Sequence, residues 1–210
     1  MGRPRSFDTG EALAAATGVF LLRGFDGASL EDLTAAMGIN KPSLYAAFGD
    51  KGALYANVLG VYGAMAKLAM EAALNKGETL EEAGRYLLGG AIDVYAPARG
   101  HHLGCLIVTT ATTVAGSDTD VRKALATFLS DVDDVIATTI ARRFGGSLGE
   151  ERVASAADIL SATMYSLAIR ARAGTPRRQL QAVAGRVIAA IGMIATSSVP
   201  APPRDAHRGA

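Results

Sequence analysis

Apolar residues recur along the chain at intervals of three and four, the spacing that lines one face of an α-helix. Leu13, Thr17, Phe20 and Leu21 form a first stripe, Leu30, Leu33 and Met37 a second, and Leu44 and Phe48 a third. Longer stripes follow: Leu54, Val58, Tyr62 and Met65; Leu125, Phe128, Val132, Ile136 and Ile140; Val153, Ala157, Leu160, Met164 and Leu167; Leu180, Ala184, Val187, Ile188 and Ile191. Between them, Asp8 with Glu11, Ser29 with Asp32, Thr79 with Glu82 and Ser147 with Glu150 each set a capping oxygen three residues before an acid, which predicts a helix start. Gly24, Gly38, Gly145 and Gly174 stand where a helix would end in a left-handed residue, and Thr175-Pro176 opens the last helix. With two further helices expected around 79–96 and 103–115, the pattern predicts an all-α fold of about nine helices. The end of the chain from Ser197, carrying Pro200, Pro202 and Pro203, reads as a disordered tail.

Composition narrows the class. The chain has 210 residues, half of them hydrophobic, 6% aromatic, with no Trp and 20% charged. It is long and apolar enough to bury a core and poor in strand formers. Its one cysteine, Cys105, forbids an internal disulfide and fits a reducing compartment. Ala12 to Leu22 is apolar enough to resemble a signal sequence, but Asp8 and Glu11 precede it and no small-residue cleavage site follows. Val187 to Ala195 is strongly apolar for about half the ~20 residues of a membrane span. A cytoplasmic protein without membrane contact is the expectation.

The first stripes are also the most informative. Met37-Gly38-Ile39-Asn40 separates the second from the third. Gly38 can take positive φ, Ile39 can plug the corner and Asn40 can cap the next helix, which is the grammar of a helix-turn-helix. The third helix spans about 12 Å at 1.5 Å per residue, and with Leu44 and Phe48 inward its small remaining surface fits a major groove. The run from Gly38 through Leu44-Tyr45-Ala46-Ala47-Phe48-Gly49-Asp50-Lys51 to Leu54, preceded by Gly24-Phe25-Asp26-Gly27-Ala28-Ser29-Leu30, resembles the DNA-binding domain of the tetracycline-repressor (TetR) family over residues 6 to 60.

That resemblance implies a homodimeric repressor whose C-terminal domain binds a small effector that lowers affinity for a double-stranded operator. By position it makes Tyr45 and Lys51 phosphate contacts, with Thr34 and the amide end near Ser29 on the flanking backbone. Lys41, Pro42, Ser43 and Ala46 would meet base edges. Many relatives carry a larger pair where this chain has Ala46-Ala47, so direct readout is expected to be lean. The arm Gly2-Arg3-Pro4-Arg5 has two readings: Arg3 and Arg5 enter a narrow minor groove, or they form a solvated tail. The expected division is residues 1–52 for arm and head, 53–196 for effector binding and dimerisation, and 197–210 for the tail.

In the remainder, a second apolar flank on the last two helices suggests a four-helix bundle built by two chains, using Tyr165, Ile169, Ala173, Ile188, Ile191 and Ile194; monomer core is the alternative. An effector pocket is expected among Tyr62, Met65, Tyr86, Tyr95, His102, Cys105, Phe128 and Met164, although for each taken singly core packing is the favoured reading, since Met and Tyr at helical spacing are usually core. His101-His102 with Cys105 could form a metal or redox site, or Cys105 could simply pack. No metal and no cofactor is expected, and no phosphate loop or nucleophile motif marks an enzyme. A helical ligand-binding protein without DNA binding and a helical enzyme remain the alternatives to a regulator.

Charge fits a site-selective binder better than a general polyanion binder. The whole chain carries +1, and residues 1 to 60 hold five basic groups against six acidic. Four of the five lie on the arm or beside the third helix, so the expected salt dependence is shallow, about two to four charges per protomer at ~0.9 each.

Overall fold

The computed structural model describes residues 7–196, whose regular elements are all helices, with no strand among them. The expected tail and the arm with Arg3 and Arg5 lie outside the described residues. The order is α1 (Thr9–Gly27), α2 (Leu30–Met37), α3 (Lys41–Phe48), α4 (Lys51–Leu74), α5 (Leu80–Tyr95), a π-helical turn (Ile107–Ala111) running into a short α6 (Thr112–Val114), α7 (Thr119–Leu148), α8 (Glu150–Arg172) and α9 (Arg177–Thr196).

The head is built by local capping. Asp8 Oδ1 accepts from the Glu11 amide at 2.9 Å. Ser29 and Asp32 exchange bonds as a capping box, and Asn40 Oδ1 and Asp50 Oδ1 each accept from the third amide onward at 2.8 Å. Gly38 ends α2 at φ 65°, ψ 28°, a left-handed geometry that costs a Cβ-bearing residue about 1–2 kcal/mol. Gly24 interrupts α1 at φ 72°, ψ −179°, where the first continuous stretch of helix ends as expected, and a short second stretch runs on to Gly27. Leu33, Leu44, Phe20, Leu54 and Tyr55 are fully buried between the head helices and the start of α4. On α1 the buried positions are Ala12, Ala16 and Phe20, while Leu13, Thr17 and Leu21 are only half-buried. Alanine lets the helices approach closely, and the longer side chains cover the seam from its sides.

Three expectations for the larger domain are corrected. Ser147 starts no helix, and Gly145 ends none. α7 runs through both to Leu148, with the Ser147 hydroxyl donating back to the Phe144 carbonyl at 2.9 Å. α8 then begins after Gly149 with no side-chain cap. Buried Leu148 and the packing of α7 on α8 hold this last turn against the glycine pair's weak helix propensity. The helix expected over 103–115 forms only over 106–114 and opens as a π-helical turn, along which the Thr109 and Thr110 hydroxyls donate to carbonyls four residues back at 2.6 Å each.

The domain packs α7 on α8 and α4, and α5 on α9, α8 and α4, while α4 also reaches α1 and so belongs to head and body alike. A boundary at residue 52 thus falls in the first turn of α4. By length and composition α4 and α9 are each apolar enough to cross a membrane. In the fold, α4 packs against α1, α5 and α7, and α9 against α5 and α8.

Candidate functional site

Two sites emerge, one on the head and one inside the body. On α3, Lys41, Pro42, Tyr45 and Ala46 face solvent, Ser43 is half-buried, and Leu44 and Phe48 anchor the opposite face. Tyr45 is 50% exposed, more than a packed aromatic requires. An exposed helix face of this size, carried on a turn closed by Gly38 and Asn40, can lie in a groove of duplex DNA.

Several polar groups on this surface are already engaged. The Lys41 ammonium is paired with Glu31 of α2. Their hydrogen bond holds the Glu31 carboxyl below the usual carboxylate range and pushes Lys41 up. Lys51 Nζ donates to the Phe25 and Ala28 carbonyls at 2.9 and 3.1 Å and sits 4.4 Å from the centre of the Phe25 ring. It thereby fastens α4 to the end of α1, leaving one of its three donors for a phosphate. The Thr34 hydroxyl donates to Leu30 O at 2.8 Å and that of Ser29 to Asp32 Oδ2 at 2.8 Å, so neither offers a free proton to the flanking backbone. Of the first amides of α2, that of Asp32 is itself capped by the Ser29 hydroxyl oxygen at 3.0 Å. Sequence reasoning missed Glu31, which comes next to Lys41 only through the fold.

In the body, α4, α5, α7, α8 and the segment at Cys105 line a cavity of about 120 Å³ that opens to solvent beside Ala69, Gly90 and Val94. Tyr62, Tyr95, Cys105, Phe128 and Met164 line it, as expected. Met65 and Tyr86 do not: they are 66% and 50% exposed, because each lies a residue off the cavity face of its helix, about 100° around. His102 is half-buried and does not line the cavity. Unforeseen were Ala66, Ala69 and Ala73 on α4 and Gly90, Ala91 and Val94 on α5, residues whose contribution is the space they leave. No charged residue lines the cavity. Burial pushes the Tyr62, Tyr95 and Cys105 groups up, so all three are neutral near pH 7.

Between the two sites, the Tyr55 hydroxyl and the Thr110 hydroxyl share a buried 2.6 Å hydrogen bond. Burial raises the Tyr55 phenol to about 12. The same ring packs on Phe20 and Phe25 of α1, at 4.8 and 5.0 Å between centroids. Arg172 of α8 donates to the Leu21 carbonyl and, at 3.4 Å, to Leu103. The π-turn beside the cavity is thus bonded to the helices that hold the head.

The expected pairing face is also corrected. Ile188 and Ile191 are 5% and 0% exposed and belong to the protomer's own core, where Gly84 of α5 leaves room for Ile188. Ile194 is half-buried, and Tyr165 is held by α7, its hydroxyl donating to Asp133 Oδ1 at 3.2 Å. Ile169 and Ala173 are exposed, and Met193 joins them at 65%.

A helix-turn-helix head on a helical body with an apolar cavity defines a class of DNA-reading protein. Residues 12–58 match the family model described as bacterial regulatory proteins, tetR family. The transcriptional repressor BdcR of Escherichia coli (strain K12) is 31% identical over 193 residues, covering 92% of this chain and 93% of that protein. The repressor ComR of the same organism is 27% identical, covering 89% and 90%. A cysteine mutant of the TetR family transcriptional regulator CifR, complexed with 26 bp double-strand operator DNA, superposes with a TM-score of 0.79 at 31% identity, covering 90% of this chain and 99% of that one. The chain belongs to the TetR family of transcriptional regulators.

Proposed function

We propose that the protein is a cytoplasmic repressor that binds a palindromic operator as a homodimer and is released by a small, mostly apolar effector. The observation that carries this is the α3 face, with Tyr45, Pro42 and Ala46 exposed on a rigidly capped turn. It is supported by the likeness to CifR, a structure that contains operator DNA. Tyr45 and the third donor of Lys51 contact phosphates, and Lys41, released from Glu31, reaches a base edge with Pro42, Ser43 and Ala46. Dimerisation places two short helices ~34–36 Å apart, and the exposed side of α8 and α9 around Ile169, Ala173 and Met193 supplies the contact. Effector binding in the cavity displaces the π-turn, and the Thr110 to Tyr55 bond passes this to α1 and α4, changing the spacing of the heads.

Electrophoretic mobility shift with the DNA flanking its own gene tests the assignment, together with sedimentation of the free protein. A retarded complex and a dimer are expected, and Ile169→Asp with Met193→Asp should give monomer and weaken the shift. No retardation by the intact chain, with sedimentation showing monomer at micromolar concentration, overturns the proposal in favour of a helical binding protein.

A further inference from the structure

The cavity is graded along its length. Its outer end is bounded by Ala69, Gly90 and Val94, all exposed and without side-chain polar atoms. Its inner end holds Tyr95, Cys105 and Met164, at 5%, 1% and 3% exposure. The polar groups lie deepest, the reverse of a surface dimple, where apolar floor meets polar rim.

Tyr95 is the odd member. Its hydroxyl makes no hydrogen bond to any described residue, although the residue is nineteen-twentieths buried. Yet no buried side-chain oxygen among the described residues lacks a partner, so this hydroxyl meets open space. It stands near Cys105 and Tyr62, within the cavity lining. With no partner in the protein, this donor is open to a bound acceptor, and a hydrogen bond formed there contributes about 0.5–1.5 kcal/mol. Phenol oxygen donates well and accepts poorly, because its lone pairs are drawn into the ring. Ionic ligands are disfavoured, since no countercharge lines the walls and an unpaired buried charge is far costlier than a neutral dipole. Size points the same way: a sealed apolar cavity of about 150 Å³ holds benzene, so about 120 Å³, open to solvent beside Ala69, Gly90 and Val94, takes one small ring that can extend toward the mouth.

We infer that the effector is an uncharged, compact hydrocarbon carrying one acceptor oxygen, a ketone, aldehyde, ester or ether, which Tyr95 Oη–H binds at the closed end of the cavity. This rests on the effector role proposed above for the same cavity. The molecule enters oxygen first, its hydrocarbon part filling the space beside Ala66, Ala91 and Phe128 and ending at Val94. Binding is reversible and involves no bond to Cys105, whose buried thiol is held protonated and so lacks the thiolate that acts as nucleophile.

The test uses three size-matched probes with the intact protein in isothermal titration: cyclohexanone, methylcyclohexane and cyclobutanecarboxylate. Cyclohexanone should bind about fivefold or more tightly than methylcyclohexane, and the carboxylate not at all. Tyr95→Phe, which removes only the hydroxyl, should lower cyclohexanone affinity about fivefold and leave methylcyclohexane affinity unchanged. The unchanged hydrocarbon shows that the variant is folded. Equal binding of ketone and hydrocarbon, preferential binding of the carboxylate, or no binding of any probe overturns the inference. A mobility-shift arm separates the two claims: cyclohexanone that binds in a Tyr95-dependent manner without changing DNA retention refutes the effector role and leaves the ligand chemistry standing.

Discussion

The head and the cavity handle polar groups in opposite ways. On the head, the proposed contacts Lys41, Lys51, Ser29 and Thr34 each already hold a partner within the chain. In the cavity, Tyr95 is buried and holds none. A surface whose groups are tied internally keeps its shape until a stronger partner competes, which favours selectivity over general attraction to phosphate. A cavity wall whose donor has no partner in the protein is a vacancy for something of matching chemistry. Head and cavity thus differ in what binding must do: exchange bonds in the first, complete them in the second.

Backbone constraint should show the same contrast, and there the largest effect is expected. Gly104 takes φ 72°, and a Cβ on it would lie 2.4 Å from the Ala168 carbonyl oxygen and 2.9 Å from Thr109. Gly38 takes φ 65° with nothing within 4 Å. Gly104→Ala should therefore cost about 3 kcal/mol or more, strain and collision together, against about 1 kcal/mol for Gly38→Ala. Urea unfolding of both variants measures this. Equal costs would show that the segment at Gly104 yields easily and is not a rigid wall of the cavity.

A smaller effect belongs to the bond that joins the two regions. Thr110→Val leaves the buried Tyr55 hydroxyl without its partner and should destabilise by about 2 kcal/mol, whereas adding Tyr55→Phe should recover most of that loss. If Thr110 relays the effector signal, both variants should also retain operator affinity when effector is present. Full effector response in Thr110→Val would place the route elsewhere, with Arg172 and its bonds to Leu21 and Leu103 as the remaining link.

What was legible in the sequence divides along the same line. Head structure follows from neighbours three or four residues apart, so Asp8, Ser29, Gly38 and Asn40 announced their caps and the turn before any packing was known. The body is decided by distant neighbours. Ser147 and Gly145 carry the same local signals and are overridden by the α7 to α8 contact. Ile188 and Ile191 have the apolar spacing of a pairing face but are taken by α5 within the protomer. For the cavity, bulky residues could be nominated by type, which found Tyr62 and Tyr95, but periodicity did not tell Met65 from Ala66. Small residues that leave a void carry no signal of their own, and so Ala69 and Gly90 were missed. Glu31 was missed for the same physical reason, ten positions from Lys41 and adjacent only across the turn.

That pair gives the smallest and most discriminating effect. Glu31 neutralises the one lysine on the recognition helix, so Glu31→Gln should release Lys41 to the DNA. Both side chains are exposed, so folding stability should hardly change. Operator affinity should rise about threefold, consistent with one surface ion pair, and the slope of log affinity against log salt should steepen by ~0.9 per protomer. Acid has the same direction as the substitution: Glu31 is held below its ordinary value of 4.5, so the pair persists from neutral pH down to that range and opens only below it. Filter binding across a salt series at neutral pH therefore reads the pair intact in the parent protein and absent in the variant. An unchanged slope would mean that Lys41 never reaches the nucleic acid, leaving Tyr45 and Lys51 as the head's phosphate contacts and the apolar surfaces of Pro42 and Ala46 as its base readout.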